Sequence, residues 1–229
     1  RKEVNAKQIG LVGHSDGGLV APIAASRSKD VAFIVLMAGT GLPGEEILYL
    51  QGALIAKANG ATEAMVERNR RLQQIMFRAL KEEKDDVAVR QRIKADFAKM
   101  TAGSPTEQEQ SSSAMDAEID MQLKRLLTTW FRYFLTYDPR PALTRVQVPV
   151  LAINGELDLQ VPADANLAAI EKALKAGGNK DHTIVKLPRL NHLFQTSQTG
   201  SPAEYVKIDE TIAPVALQTI SDWIVKQTK

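Results

Sequence analysis

The stretch QIGLVGHSDGGLVAPIAASRS, residues 8–28, decides the fold of this chain. Residues 8–12 form a short, mainly apolar run that ends at Gly13, a pattern typical of a buried β-strand. Small and apolar residues then recur at helical spacing over residues 16–28, which predicts a helix directly after Ser15. A polar serine therefore lies between a strand and a helix, with glycines on both sides.

The five residues GHSDG, 13–17, match the G-x-S-x-G pattern of a nucleophile elbow, in the strand-to-helix context that this motif requires. In such a turn the serine is strained, and we expect Gly13 and Gly17 to avoid clashes with its close neighbours. The start of the helix favours negative charge beside the serine, so the backbone N–H of Asp16 is the expected oxyanion donor. A phosphate-binding turn is the alternative, but the stretch lacks both G-x-x-x-x-G-K-S/T and G-x-G-x-x-G.

Further along the chain, strand and helix patterns alternate. Strands are predicted over residues 31–38, 148–158 and 182–188, and helices over residues 162–176 and 214–227. The second strand, VAFIVLMA, is apolar throughout, which is typical of a strand that is covered on both faces. This alternation predicts an α/β protein with a parallel sheet flanked by helices.

Residues 43–137 have a different character. They carry long helical patterns, interrupted by the polar segment 102–113, for which we predict a loop. We interpret residues 43–137 as an inserted helical domain. The core is then built from residues 1–42 and 138–229.

Composition excludes several classes of function. The chain has 229 residues and a formal net charge of +2, with Lys and Arg spread along it, so we expect no nucleic-acid partner. No apolar run reaches the roughly 20 residues needed to cross a bilayer. Three scattered histidines and no cysteine form no metal-ligand cluster, and we expect neither a metal nor another cofactor.

A serine nucleophile requires a general base, and the chain offers three histidines. His14 is the variable residue of the elbow itself and is badly placed to turn back on its neighbour. His182 comes before the last predicted strand and should lie at its wrong end. His192 follows that strand, at the end of the sheet where ligand crevices lie, and is therefore the candidate base.

A third group must orient the histidine and stabilise its positive form. Glu156 and Asp158 both follow the strand that starts near residue 148, at the same end of the sheet. Their spacing does not choose between them. With Asp158, the order Ser15, Asp158, His192 is the Ser…Asp…His order of one particular hydrolase fold.

The elbow GLVGHSDGG, the acid segment YDPRPALTRVQVPVLAINGELDLQVP and the histidine segment LPRLNHLFQ together resemble an α/β-hydrolase with a helical lid. The chain is similar to the carboxylesterases and acyl hydrolases related to the serine aminopeptidase group. This resemblance implies Ser15 as nucleophile, Asp158 rather than Glu156 as acid, and His192 as base. It also implies that residues 43–137 form a lid over an acyl pocket.

The expected activity is hydrolysis of a small-molecule carboxylic ester with a short-to-medium acyl chain. A thioesterase or a sugar-ester deacetylase fits the same three residues. An aminopeptidase also fits, with Glu45 or Glu46 receiving the substrate ammonium group. A non-catalytic binding protein of the same fold is the alternative from another class, although a binding protein has no need to keep all three residues.

The chain departs from the family pattern at its start. In α/β-hydrolases four strands precede the elbow strand, whereas only seven residues precede position 8 here. The resemblance implies a missing N-terminal segment, on the same or a separate chain, that carries the second oxyanion donor and pairs beside residues 8–12. Without this partner, residues 8–12 form an exposed apolar edge. A self-sufficient four-stranded protein is the alternative.

Overall fold

The computed structural model describes residues 3–101, 121 and 123–229. The predicted loop at 102–113 lies outside these residues. The described part contains a four-stranded sheet in which the strands are β1 (Gly10–His14), β2 (Phe33–Met37), β3 (Val150–Gly155) and β4 (His182–Leu187). The spatial order is β1-β2-β3-β4 and every neighbouring pair is parallel. The predicted parallel α/β sheet is confirmed.

The two central strands are covered on both faces because their side chains are apolar in both directions. All five residues of β2 and all six of β3 are buried. Ile34 and Leu36 belong to one hydrophobic cluster, whereas Phe33, Val35 and Met37 belong to another on the opposite face. This alternation is the period-two geometry of a strand between two apolar layers.

Helices supply both layers. The helices α1 (Asp16–Ala25) and α7 (Ala163–Ala176) contribute residues such as Ala21, Leu167 and Ile170 to the first cluster. The helix α8 (Pro214–Gln227) contributes Ala216 and Trp223 to the second, with the Trp223 and Phe33 rings 5.8 Å apart, edge to face. After residue 137 the described chain also contains the short α6 (Arg140–Leu143) and a 3₁₀ helix (Pro202–Lys207).

The described residues form two compact units. The first comprises residues 1–61 and 138–229, and the second residues 62–137. The helix α2 (Gly44–Ala58), which falls inside the predicted insert, lies in the first unit. The assignment of residues 43–137 as a lid stays a prediction.

The second unit contains α3 (Glu63–Glu82), α4 (Asp86–Thr101) and α5 (Thr129–Thr136). Side chains cap the amino ends of α3 and α5, where Thr62 accepts from the Met65 N–H and Thr128 from the Phe131 N–H. The Arg132 guanidinium donates to the carbonyls of Leu80 and Glu83, both at 2.8 Å, and to Asp86 Oδ1 at 3.0 Å. Arg132 thereby satisfies carbonyls at the end of α3 that have no partner within that helix.

β1 is an edge strand, and its Val12 side chain is 54 % exposed. The edge that the sequence predicted over residues 8–12 is therefore exposed in this structure. Its other side pairs with β2, from Gly10 opposite Phe33 to His14 opposite Met37. The strand ends one residue before Ser15, so the candidate nucleophile lies at the carboxyl end of the sheet.

Candidate active site

Ser15 occupies a strained turn between β1 and α1. Its φ is 54° and its ψ is −114°, a conformation that non-glycine residues rarely adopt. Its N–H donates to the Met37 carbonyl at 2.9 Å, and its own carbonyl accepts from the Gly18 N–H at 2.9 Å. Bonds on both sides of the residue hold it in this conformation.

The glycines around Ser15 have different roles. A Cβ at Gly13 would lie 2.1 Å from the Gly17 carbonyl oxygen, and one at Gly18 would lie 2.7 Å from Gly39 Cα. A Cβ at Gly17 would meet no atom within 4 Å among the described residues beyond its chain neighbours. The expected steric reason thus holds for Gly13 but not for Gly17. Gly18 is the second crowded position, because it faces the loop after β2.

Ser15, His192 and Asp158 form a continuous hydrogen-bonded chain. Ser15 Oγ lies 3.1 Å from His192 Nε2, and His192 Nδ1 lies 2.8 Å from Asp158 Oδ2. His192 is 5 % exposed and Asp158 2 % exposed, whereas Ser15 is partly accessible. The most accessible member is therefore the hydroxyl, with the imidazole and the carboxylate lying behind it.

The carboxylate of Asp158 is held by the backbone on its other side. Its Oδ1 accepts from the N–H groups of Gln160 and Val161, both at 2.8 Å. These bonds occupy Oδ1 and leave Oδ2 for His192. Glu156, the other candidate acid, instead accepts from the Arg189 N–H at 3.0 Å. The structure thus places Asp158, and not Glu156, against the histidine.

A buried polar network supports the His192 loop. Asn191 is fully buried, and its Oδ1 accepts from the N–H groups of Leu193 (2.9 Å) and Gln195 (3.0 Å). Its Nδ2 donates to Gln195 Oε1 at 3.0 Å. Gln195 Nε2 in turn donates to the carbonyl of Glu210 at 2.9 Å. These bonds fix the main chain immediately before and after His192.

Backbone strain collects around the same site. In the described part of the chain, the non-glycine residues with positive φ are Ser15, Ala38, Arg189 and Phe194. Ala38 directly follows β2, and Arg189 and Phe194 lie on either side of His192. Each such conformation costs about 1–3 kcal/mol and persists only where the surroundings over-determine it.

The other two histidines differ in their distance from the site: His182 lies away from it, and His14 lies beside His192. His182 is the first residue of β4, at the opposite end of that strand from His192, and its Nδ1 pairs with the Asn179 carbonyl at 3.0 Å. The His14 ring lies 4.9 Å from the His192 ring, centroid to centroid. Burial lowers the pKa of His14, with the positive form of His192 acting in the same direction.

Asp16 is the first residue of α1, so its backbone N–H has no partner within the helix. This N–H follows the Ser15 hydroxyl in the chain, at the positive end of the helix dipole. Glu45, a predicted ammonium acceptor for an aminopeptidase, accepts a hydrogen bond from Tyr49 Oη at 3.0 Å.

Sequence reasoning missed the supporting residues of the His192 loop. Asn191 carries a weak signal, because Asn often bonds to the backbone two residues ahead and so marks a turn. Gln195 and Glu210 carry none, since their contacts depend on where distant segments meet. For His14 the sequence indicates only that it is badly placed to act as the base.

Among the described residues, no group of three or more His, Asp or Glu side chains is arranged to hold a metal ion. Nor is any described helix long and apolar enough for a membrane crossing.

Several solved structures share similarity with the chain. They include an esterase from Pyrococcus furiosus (14 % identity, TM-score 0.43), covering 96 % of this chain and 54 % of that one. An enol-lactonase from Burkholderia xenovorans LB400 shows 16 % identity and a TM-score of 0.45, covering 96 % and 66 %. An α/β-hydrolase enzyme from a Medee basin deep-sea metagenome library shows 14 % identity and a TM-score of 0.46, covering 100 % and 68 %.

This chain thus spans between about half and two thirds of the length of these structures. At these identities and TM-scores, the activities and substrates of these proteins are not transferred to this chain. Comparison with curated proteins gave no match.

A protein-family comparison matches residues 1–139 to the family described as BAAT / Acyl-CoA thioester hydrolase C terminal. The match covers more than half of the chain, including β1, the elbow, α1 and β2. It agrees with the parallel sheet, and the predicted α/β-hydrolase superfamily is confirmed. The chain belongs to the BAAT / acyl-CoA thioester hydrolase C-terminal family, within the α/β-hydrolase superfamily.

Proposed function

We propose that this protein is a serine hydrolase that cleaves carboxylic esters of short-to-medium acyl chains through an acyl-enzyme on Ser15. The observation that carries the proposal is the hydrogen-bonded chain from Ser15 Oγ through His192 to Asp158 Oδ2, with distances of 3.1 and 2.8 Å. A nucleophile, a base within hydrogen-bond reach and a group that orients the base are the parts that acyl transfer needs.

In the first step His192 Nε2 accepts the proton of the Ser15 hydroxyl while Oγ attacks the carbonyl carbon of the ester. Asp158 Oδ2 accepts the Nδ1–H of His192, which keeps Nε2 free of a proton beforehand and stabilises the imidazolium afterwards. The Asp16 N–H donates to the carbonyl oxygen as it becomes negative. His192 then gives its proton to the leaving alcohol, and the acyl group remains on Ser15.

In the second step His192 accepts a proton from water, and the resulting hydroxide attacks the acyl carbon. The tetrahedral intermediate collapses, the carboxylic acid leaves, and His192 returns the proton to Ser15 Oγ. Neither of these reaction steps uses a metal ion or a cofactor. The expected partner is thus the small-molecule ester itself.

A thioester is the second candidate substrate, and the family match favours it, because that family is described by acyl-CoA thioester hydrolysis. The same attack by Ser15 serves an ester and a thioester, since both present an acyl carbonyl. They differ in the leaving group, which is an alcohol in one and a thiol in the other.

The first experiment is reaction of the chain with a fluorophosphonate, followed by peptide mapping by mass spectrometry. We expect modification at Ser15 that is lost in Ser15→Ala and reduced at least about 10³-fold in rate in His192→Ala. Failure of the folded wild-type chain to react would contradict the proposal and favour a non-catalytic binding protein.

A second experiment separates the two substrates. A p-nitrophenyl ester and an acyl-CoA of the same acyl length are compared by kcat/KM, with Ser15→Ala as the blank. A higher kcat/KM for the ester supports a carboxylesterase. A higher value for the acyl-CoA replaces it with the thioesterase while leaving the role of Ser15 unchanged.

A further inference from the structure

The elbow contacts His192 through two consecutive residues. Ser15 Oγ lies 3.1 Å from the Nε2 of the His192 ring, and His14 Nε2 lies 2.8 Å from the backbone carbonyl oxygen of His192. A carbonyl only accepts, so His14 carries the proton on Nε2 and donates it. This bond joins β1 to the loop after β4, across 178 positions of the chain.

We propose that His14 is a positioning residue for His192, which it serves by donating Nε2–H to the His192 carbonyl and by remaining uncharged. The inference rests on the proposed role of His192 as the base. It assigns a role to the residue of the G-x-S-x-G motif that the motif leaves unspecified.

The geometry explains how the bond acts on the reacting atoms. Ser15 and His14 are neighbours on one strained turn, so their positions relative to each other are fixed by the turn. The loop therefore has one contact to the elbow through its main chain and another through the reacting ring. Without the first contact, the distance between Ser15 Oγ and His192 Nε2 depends on the loop and on the Asp158 contact, and a misplacement of about 1 Å can cost up to 10²-fold in rate.

Packing does not account for His14. It is exposed in the described structure, unlike the buried Phe194, whose ring it meets edge to face at 6.0 Å. It also lines a cavity of about 520 Å³ together with residues such as Asp209 and Glu210. The residue is exposed although its ring is partly desolvated beside His192 and Phe194, so apolar contact alone does not explain its place, and its specific contact is the hydrogen bond to the His192 carbonyl.

The charge state of His14 matters because its ring lies 4.9 Å from that of His192. His192 becomes positive in the transition state, and a second positive ring at this distance would oppose that charge. Burial lowers the pKa of His14, and the His192 charge lowers it further, while the His192 carbonyl, Asp158 and Asp16 act in the opposite direction. The result is a ring that stays neutral to lower pH than a free histidine does.

Three variants separate the donor from the charge. His14→Leu removes the donor, His14→Gln restores an N–H donor that never charges, and His14→Lys keeps a donor and adds a permanent charge. The matched control is His182→Leu, which also removes a ring bonded to a backbone carbonyl, but at the opposite end of β4. Each variant is compared by thermal midpoint, by fluorophosphonate labelling rate against pH, and by kcat and KM for a p-nitrophenyl ester.

We expect His14→Leu to lose about 10-fold in labelling rate and kcat with KM within about twofold, and His14→Gln to recover most of that loss. In His14→Lys the maximal rate falls. The acid limb of the labelling rate against pH in His14→Lys moves down by about 0.5–1 pH unit, because the added charge disfavours protonation of His192. The His182→Leu control keeps the wild-type rate and pH profile.

Two results would overturn the inference. One is a His14→Leu rate equal to that of wild type. The other is a loss shared equally by His14→Gln and His14→Lys with no movement of the acid limb, which marks a structural role. Both are distinct from failure of the proposed function, in which the wild-type chain itself does not label at Ser15. If His14→Leu does not fold, the Gln and Lys variants still decide between these outcomes.

Discussion

Two regions meet at the candidate site and are built in opposite ways. The elbow is built from small residues: Gly13 and Gly18 let backbone segments approach where a Cβ would lie within 3 Å of another backbone atom. The His192 loop is built from polar side chains, with Asn191, Gln195 and Glu204 each accepting or donating several hydrogen bonds to nearby groups.

The difference follows from what each region must do. The elbow turns sharply within five residues, and other backbone atoms approach so closely at Gly13 and Gly18 that only a hydrogen atom fits in place of a side chain. The loop after β4 has no regular ladder to satisfy its backbone, so side chains supply partners for its N–H groups. We therefore expect added volume to damage the elbow and lost polar groups to damage the loop.

The largest expected effect tests the link between the two regions. Asp158→Asn retains an oxygen for the Gln160 and Val161 N–H groups but favours the wrong tautomer of His192. We expect kcat for ester hydrolysis to fall about 10⁴-fold. The matched control is Glu156→Gln, because the Glu156 carboxylate accepts from the Arg189 N–H and does not contact His192. We expect the kcat of this variant to stay within about threefold of wild type. Equal losses in both variants would contradict the assignment of the acid.

The second effect tests volume in the elbow. Gly13→Ala would place a Cβ 2.1 Å from the Gly17 carbonyl oxygen, and we expect it to lower the free energy of unfolding by about 3 kcal/mol or more. Gly17→Ala meets open space and should change the free energy of unfolding by no more than about 1 kcal/mol. Urea unfolding of both variants checks this difference, and equal stabilities would show that the elbow is not limited by space.

The third effect tests polar support in the loop. Asn191→Ala removes three side-chain hydrogen bonds, and we expect a loss of about 3 kcal/mol in the free energy of unfolding. Asn166→Ala is a matched control, because Asn166 is also fully buried and makes three such bonds, to Gly41, Leu42 and Pro162.

Both asparagine variants should lose similar stability. Only Asn191→Ala should also slow fluorophosphonate labelling of Ser15, by about 10-fold, because its bonds surround His192. Equal labelling rates in the two folded variants would show that the loop holds His192 without Asn191.

The smallest effect concerns pH. Hydrogen bonds from Ser197 and Thr199 lower the pKa of Glu204 from 4.5 to about 2. Because the pKa of Glu204 is lower in the folded than in the unfolded protein, its ionised carboxylate stabilises the fold at pH values above the unfolded-state pKa. This contribution is lost as pH falls from about 4.5 to about 2.

The measurement is the free energy of unfolding of wild type and Glu204→Gln against pH. We expect wild type to be the more stable above pH 4.5, with the difference shrinking towards pH 2. A difference that does not change over this interval would mean that the charge of Glu204 does not hold the loop.

Much of the fold was predictable from periodicity. The apolar run 31–38 contains β2, residues 148–158 contain β3, and residues 182–188 contain β4. Local pattern and burial agree most closely in β2, which is apolar throughout and wholly buried, whereas β4 carries polar residues and is mostly only half-buried. The boundary between the two compact units at residue 61 lies inside the segment 43–137, because α2 and α3 both have helical patterns and fall in different units.

At the site, the residues with a sequence motif were predictable and those that act through distant contacts were not. Ser15 was marked by its glycines and by the strand and helix on either side. His192 was marked by its place after the last strand, and Asp158 by the family order. Asn191 carried only the weak signal of a local turn, because its partners lie two and four residues ahead, and His14 carried none, because its partner is 178 positions away.

The sequence by itself determined the parallel strands, the strained serine turn and the short list of histidines and carboxylates, because these depend on local pattern and residue type. Tertiary structure brought the Asp158 carboxylate, which only the family resemblance had favoured over Glu156, to His192. It also made Gly18 rather than Gly17 the second crowded glycine beside Gly13, and brought His14 to the carbonyl of His192. Each of those outcomes depends on the distance between atoms far apart in the chain. Such distances are fixed only when the sheet brings the ends of its strands together.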